Sequence, residues 1–180
     1  MNRAVFLDRD GVVNRAIVRD GKPYPPASVR ELEIVDDAPK ALCRLRDAGL
    51  MLIVVTNQPD VARGTQKRAA VEAIHERLAS ELPVDDILAC YHDDSAHCFC
   101  RKPNPGSLLE AAARHRIDLT KSFMVGDRWR DIEAGQRAGC TALFIDYDYS
   151  ERKPEPPYLE VRSLTEAADV ILQRIETEKR

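Results

Sequence analysis

The chain has 180 residues, 44% hydrophobic and 32% charged, with a formal net charge of −3. Such a balance describes an ordinary folded domain rather than a disordered or fibrous chain, and without a basic run it offers nucleic acid no electrostatic footprint. No apolar run is long enough to cross a bilayer and the opening MNRAVFLDRD lacks a signal-peptide core, so a cytoplasmic protein with reduced thiols is expected; its five cysteines are an odd number for a pure disulfide framework.

The first predicted element is a buried strand, AVFL (4–7), which runs straight into two aspartates and a glycine. Residues 18–35 are rich in proline and read as a loop. APKALCRLRDAG (38–49) carries Ala38, Leu42, Leu45 and Ala48 at helical spacing and ends on Gly49, which suits a C-terminal cap; Cys43 is assigned to its apolar face and to the core. LMLIVVT (50–56) is a second strand, and TQKRAAVEAIHERLASEL (65–82) the longest helix, with Thr65 as its expected N-cap. DILAC (86–90) reads as a weaker strand. PGSLLEAAARHR (105–116) and RDIEAGQRAG (130–139) are helices, each followed by a strand, SFMVG (122–126) and CTALFID (140–146), with Cys140 a core residue. Residues 149–161 read as an irregular surface connection, and SLTEAADVILQRIETEK as a closing helix with Ser163 and Glu166 set as a capping box.

Alternating strand and helix predicts parallel βαβ units. The expected fold class is α/β, a doubly wound parallel sheet with helices on both faces, in a single domain over residues 1–180. Ligands of such sheets sit at the carboxyl ends of the strands. Predicted strands end there in Asp8 and Asp10, in Thr56 and Asn57, and in Asp127.

Two ionised carboxylates as close as Asp8 and Asp10 repel, and a divalent cation relieves them; Mg²⁺ favours a few carboxylates together with water and a substrate phosphate. Asp127 supplies a third carboxylate, and Asp131 either supports the site or serves as a first-turn helix carboxylate. The rest of the set fits phosphate. One carboxylate can attack a phosphoryl group while a second carboxyl protonates the leaving alcohol and later deprotonates water. Thr56 offers a hydroxyl and backbone N–H groups, and Lys102, in CRKPNPG, offers an ammonium just ahead of a helix N-terminus.

In that order, DRDG, VVTNQ, RKPNPG and GDRWRD resemble the motifs of the haloacid dehalogenase superfamily of phosphatases, over about residues 3–146. The resemblance implies that family's Rossmann-like fold. It also implies a nucleophile at Asp8, a general acid/base at Asp10, and a phosphoryl group held by Thr56 and Lys102. Mg²⁺ would be bound by Asp8 through a carboxylate oxygen, by Asp10 through its backbone carbonyl, and by Asp127.

CYHDDSAHCFC holds Cys90, His92, Cys98 and Cys100, with five residues between the C-x-H and C-x-C halves. Three thiolates and an imidazole complete a tetrahedral shell, so a structural zinc is expected in a loop over 90–100. His97 is the alternative imidazole. A loop of this kind before RKP resembles those of the bacterial D-glycero-D-manno-heptose 1,7-bisphosphate phosphatases and the related histidinol-phosphate phosphatases, compact enzymes without a large cap domain. No insertion between residues 14 and 37, or between 57 and 86, is long enough to build a cap.

The implied substrate is a small sugar phosphate. DRDGVVN and TNQPDVARG favour the heptose bisphosphate, at its 7-phosphate; the short gap in the metal loop is nearer the histidinol type, and Pro59 and Asp60 depart from the heptose pattern. A non-catalytic binding module and a phosphotransferase are the other readings. Asn57, Arg101 and Arg128 are the candidate substrate contacts, Arg63 is either near the site or a solvated charge, and Trp129 is expected to pack on the sheet. A monomer is expected, with neither nucleic acid nor membrane as partner.

Overall fold

The computed structural model describes residues 1–178. Its first strand, β1 (Ala4–Leu7), is AVFL itself, with all four residues buried. Side chains alternate across a strand. Val5 and Leu7 therefore enter one core while Ala4 and Phe6 enter another.

A short antiparallel hairpin follows, β2 (Ile17–Arg19) with β3 (Lys22–Tyr24). This corrects the reading of 18–35 as loop throughout. Asp20 and Gly21 occupy the turn at φ +50° and +70°. Aspartate followed by glycine is the pair that a two-residue turn with both φ values positive favours, because glycine has no Cβ and aspartate tolerates the left-handed region. The helix α1 (Ala38–Asp47) buries Ala38, Ala41, Leu42 and Leu45, whereas Cys43 is exposed on its outer side, against expectation: it lies one position past Leu42, which turns it about 100° away from the buried stripe.

β4 (Met51–Asn57) leads to α2 (Arg68–Glu81). Thr65 does not cap α2; the N-cap position is Lys67, and the Thr65 hydroxyl donates instead to the Asp60 carbonyl. Then come β5 (Asp86–Cys90), α3 (Gly106–His115), β6 (Phe123–Gly126), α4 (Trp129–Ala138) and β7 (Thr141–Ile145). Residues 149–161 are irregular until their last three, Leu159–Val161, which form β8 on the sheet edge beside β7. The closing helix α5 (Leu164–Glu178) has Ser163 accepting from the Glu166 N–H. Glu166 in turn accepts from the N–H of Arg162 rather than from that of Ser163, and the last residue of the predicted helix, Lys179, lies outside the described residues.

The six strands pair in parallel in the order β5-β4-β1-β6-β7-β8. α1, α2 and α5 cover the face that carries Val5 and Leu7; α3 and α4 cover the other. Each apolar side chain so buried contributes roughly 1.5–3 kcal/mol relative to exposure. Connections leave β1 toward β4 and β5, then cross to β6 on its other side, so the order reverses at β1. In an open parallel sheet that reversal opens a crevice at the strands' carboxyl ends.

Candidate active site

The crevice is where the polar strand ends meet. Asp8 follows β1, Thr56 lies near the end of β4, and Asp127 follows β6; all three are buried. Gly11 keeps the floor tight. At φ +97° it turns the chain back beneath Asp127, and a Cβ there would fall 1.9 Å from Asp127 Oδ2. Gly126 does the same for Asp131, whose Cβ would stand 2.1 Å from any Cβ added.

Oxygens of Asp8, Asp127 and Asp131 come within 4.8 Å of one another. Asp131 thus belongs to the carboxylate group, and it also closes the first turn of α4, where its Oδ2 accepts from the Arg128 N–H at 3.0 Å. Both alternatives open in the sequence hold at once, because one oxygen faces the helix and the other the site. Lys102 Nζ donates to Asp8 Oδ1 and pairs with Asp131 Oδ1, each at 2.6 Å, and donates to the Val55 carbonyl at 2.7 Å.

Burial, together with the charge of Asp131, pushes the Asp8 carboxyl up to about 7 even with Lys102 beside it. Burial and the charge of Asp8 hold Asp127 well above the usual carboxylate range. Burial works against the Lys102 ammonium, yet the Asp131 and Asp8 carboxylates outweigh it and raise that pKa. Three carboxylates against one ammonium leave negative charge uncompensated in a dry place. Asp127 Oδ1 is buried with no hydrogen-bond partner, while Oδ2 accepts from the Tyr149 hydroxyl at 2.9 Å. An all-oxygen donor set with an orphaned oxygen fits a hard divalent cation such as Mg²⁺.

Asp10 faces the same crevice, but its carboxylate is enclosed. Oδ1 accepts from Arg9 Nε and Nη2 and from Asn14 Nδ2; Oδ2 accepts from Arg9 Nη2 and Gln58 Nε2. Arg9 is wholly buried and its Nη1 meets His75 Nε2 on α2 at 3.1 Å. Burial and Arg9 hold the His75 imidazole down at about 4, so it is neutral and accepts this bond. Gln58 Nε2 also donates to Thr56 Oγ1 at 2.8 Å.

None of Arg9, Gln58, His75 or Tyr149 is singled out by the sequence reading, and Asn14 enters it only as the asparagine that ends DRDGVVN. Gln58 had a signal, since it stands two residues past Thr56 on the same side of the strand. Arg9 stands next to its main partner Asp10, but the His75 that backs it lies 66 residues away, and the partner of Tyr149 lies 22 residues away.

Asn57 lies at the crevice, but its amide is occupied: Nδ2 donates to the Lys102 carbonyl and Oδ1 accepts from the Lys102 N–H. It holds the lysine in place rather than presenting a free group. Arg128 lines the crevice with its guanidinium paired to Glu151. Arg101 pairs with Asp94, and Arg63 also lines the space, which measures about 260 Å³. Trp129 is half-buried at the start of α4, with the Arg130 and Arg152 guanidiniums 4.7 and 3.6 Å from its ring centre.

The second candidate metal centre follows β5. Cys100 Sγ lies 3.2 Å from Cys90 Sγ, 3.4 Å from Cys98 Sγ and 3.4 Å from His92 Nδ1; Cys90 Sγ is 3.6 Å from both Cys98 Sγ and His92 Nδ1. A tetrahedron with zinc–sulfur bonds of about 2.3 Å has edges of roughly 3.8 Å, close to these spacings. His92 supplies the imidazole; His97 sits outside the cluster at φ +46°. Burial pushes the Cys90 thiol up, so a cation is the natural agent of its ionisation. The β4–β5 register sets Asn57 opposite Cys90, one ladder step from Thr56. The loop is thereby fastened beside the end of β4 that carries Thr56.

The chain is similar to known phosphatases in sequence and fold. The HAD-hydrolase-like family model matches residues 99–167. D-glycero-alpha-D-manno-heptose-1,7-bisphosphate 7-phosphatase of Photorhabdus laumondii is 33% identical over 79% of this chain and 81% of its own. The D-glycero-beta-D-manno-heptose-1,7-bisphosphate 7-phosphatase of Mesorhizobium japonicum is 35% identical over 97% of this chain and 82% of its own. A crystal structure of D,D-heptose 1,7-bisphosphate phosphatase from Bordetella bronchiseptica, complexed with magnesium and phosphate, superposes with a TM-score of 0.82 at 31% identity, covering 96% of this chain and 99% of that one. No helix among the described residues is long and apolar enough to cross a membrane.

Proposed function

From the fact that this chain belongs to the haloacid dehalogenase superfamily and is a phosphatase, we propose that it removes the 7-phosphate of D-glycero-D-manno-heptose 1,7-bisphosphate, with residues 1–180 working as one phosphatase domain. The observation that carries the reading is the meeting of Asp8, Asp127 and Asp131 with Lys102 at the base of a crevice whose outer wall carries arginines.

Asp8 is the nucleophile. Its carboxylate oxygen forms a bond to phosphorus as the sugar oxygen departs, leaving an aspartyl phosphate. Asp10 gives its proton to that departing oxygen, then takes one from the water that attacks phosphorus and releases inorganic phosphate. Arg9, Asn14 and Gln58 fix where the Asp10 carboxyl stands. Lys102 neutralises the phosphoryl oxygens beside Asp8, and Thr56 receives another of them. Asn57 keeps Lys102 in register with Asp8. Asp8, Asp127 and Asp131, with the Asp10 backbone carbonyl, would hold Mg²⁺, which when bound offsets charge on the transferring group. The loop at 90–100 would hold structural zinc through Cys90, His92, Cys98 and Cys100 and present Arg101 and Lys102 to the substrate.

The test is phosphate release with Mg²⁺ from heptose 1,7-bisphosphate, histidinol phosphate and common sugar monophosphates. The bisphosphate is expected to give the highest kcat/KM, with loss of one phosphate at C7. Faster turnover of histidinol phosphate would overturn the substrate assignment.

A further inference from the structure

Asp94 stands in the metal loop with its side chain 57% exposed, yet it gathers the arginines of the crevice wall. Arg101 Nε donates to its Oδ1 at 3.0 Å and Nη2 to its Oδ2 at 3.4 Å. Arg130 Nη1, from α4, donates to Oδ1 at 3.0 Å, and Arg63 Nη2, from the turn after β4, stands 4.0 Å from Oδ2. Two guanidiniums from separate segments bond this carboxylate and a third, Arg63, faces it while donating to Asp60 Oδ1 at 3.3 Å; all four side chains line the crevice that ends at Asp8 and Lys102.

Convergence of that kind is the coordination a phosphate dianion attracts, since planar guanidinium forks match its oxygens. Here a side chain of the protein fills it. Arg101 is nearly buried, at 10% exposure, and is held from behind by the His92 carbonyl, so it is fixed where it stands. Asp94 is the most exposed of the four side chains, at 57% against 48% for Arg63 and 26% for Arg130.

We propose that Asp94 is a tethered anion occupying a second phosphate subsite formed by Arg63, Arg101 and Arg130, and that a ligand's distal phosphate must displace it. The idea rests on the reading of the crevice as a sugar-phosphate site. Its consequence is a discount on the binding of bisphosphates. A carboxylate a few ångström from a dianion repels it, and every guanidinium it holds is one the ligand must win. The chain would thereby trade affinity for exchange, releasing a product that retains its distal phosphate.

The test compares two inhibitors of p-nitrophenyl phosphate hydrolysis by the full chain, fructose 1,6-bisphosphate and fructose 6-phosphate, so that it speaks whether or not heptose 1,7-bisphosphate is the substrate. In Asp94→Asn the ratio of the bisphosphate Ki to the monophosphate Ki should fall by roughly three- to tenfold, the effect of removing one charge beside a dianion in a solvated cleft. The fall should shrink as salt is raised. An unchanged ratio, or a higher one, overturns the proposal, the latter because Asp94 would then be ordering the arginines for the ligand. Zinc content and thermal midpoint confirm that the variant is folded, and Asp94→Ser reads the same ratio if Asp94→Asn does not fold. Heptose bisphosphate failing as a substrate while the ratio still falls would separate the two readings.

Discussion

The two candidate metal centres are assembled on opposite plans. The cysteine–histidine group is taken from eleven consecutive residues, 90–100, and its four ligands close on one another at the rim of the sheet. The carboxylate group draws on residues 8, 127 and 131, from two strand ends and a helix start, and is buried to the last side chain. One site is complete within itself. The other is left open toward a crevice, with an excess of negative charge and an orphaned oxygen at Asp127. Where ligands are local, a protein obtains a closed knot that fastens a loop; where they converge from distant segments, the whole fold is the ligand, and the site stays open for chemistry.

If that division is right, damage to the two centres should differ in kind. Asp8→Asn should bring turnover down to background while circular dichroism and thermal midpoint stay near wild type, since the amide keeps the shape but is a far poorer nucleophile. Measurable turnover at more than a few percent would remove the covalent mechanism. Asp10→Asn should slow the reaction by roughly 10²- to 10⁴-fold in steady-state kinetics, the scale of general acid/base catalysis. Cys98→Ser should act on the fold first. Metal analysis should show zinc lost, and calorimetry a stability loss of about 3 kcal/mol, or roughly 6–12 °C in a chain of this size. A zinc-free protein of full stability would erase the contrast.

The smallest expected effect is a pH dependence confined to the carboxylate side. His75 lies behind Arg9 with its imidazole held down at about 4 against an ordinary 6.5. A histidine whose folded pKa is depressed takes up its proton more readily when unfolded. Stability is therefore full above about 6.5 and falls as pH drops toward 4. Denaturant unfolding at pH 7.5 and 5 should show this part of the loss, about 1–2 kcal/mol, and His75→Gln should remove it. An unchanged pH slope in His75→Gln would show that the imidazole is not kept neutral.

The same division explains what was legible in the sequence. β1, β4, β6 and β7 were visible as apolar runs because strands buried on both faces leave uninterrupted signals, and the half-buried edge strand β5 left a weaker one. The cysteine–histidine cluster was visible because its spacing is local. β8 was not: three residues at the end of a proline-rich stretch carry too little pattern, and its place beside β7 is set by tertiary packing. The hairpin was missed although Asp20-Gly21 marked it, because the prolines around it outweighed the turn signal. Asp8, Thr56, Lys102 and Asp127 could be gathered because each follows a recognisable strand or precedes a helix. Tyr149 could not, since what matters about it is a partner on another element, and Arg9 could not because nothing local shows that its guanidinium is wholly buried and turned back onto Asp10. Cys43 was misplaced by one helical position, where hydrophobicity alone does not separate the edge of the stripe from its centre.

The central position of β1 has a consequence in time. Asp8 leaves the ribosome early, and Asp131, the last member of its group, follows 123 residues later (131 − 8). At ordinary rates of synthesis that interval is roughly 6–25 s. Once Met51–Asn57 have emerged β1 can pair with β4 on one side, while its other edge waits for β6. A nascent chain therefore holds Asp8 long before it holds the carboxylates and the ammonium that surround it in the fold, whereas the cysteine–histidine loop needs only its own eleven residues to close.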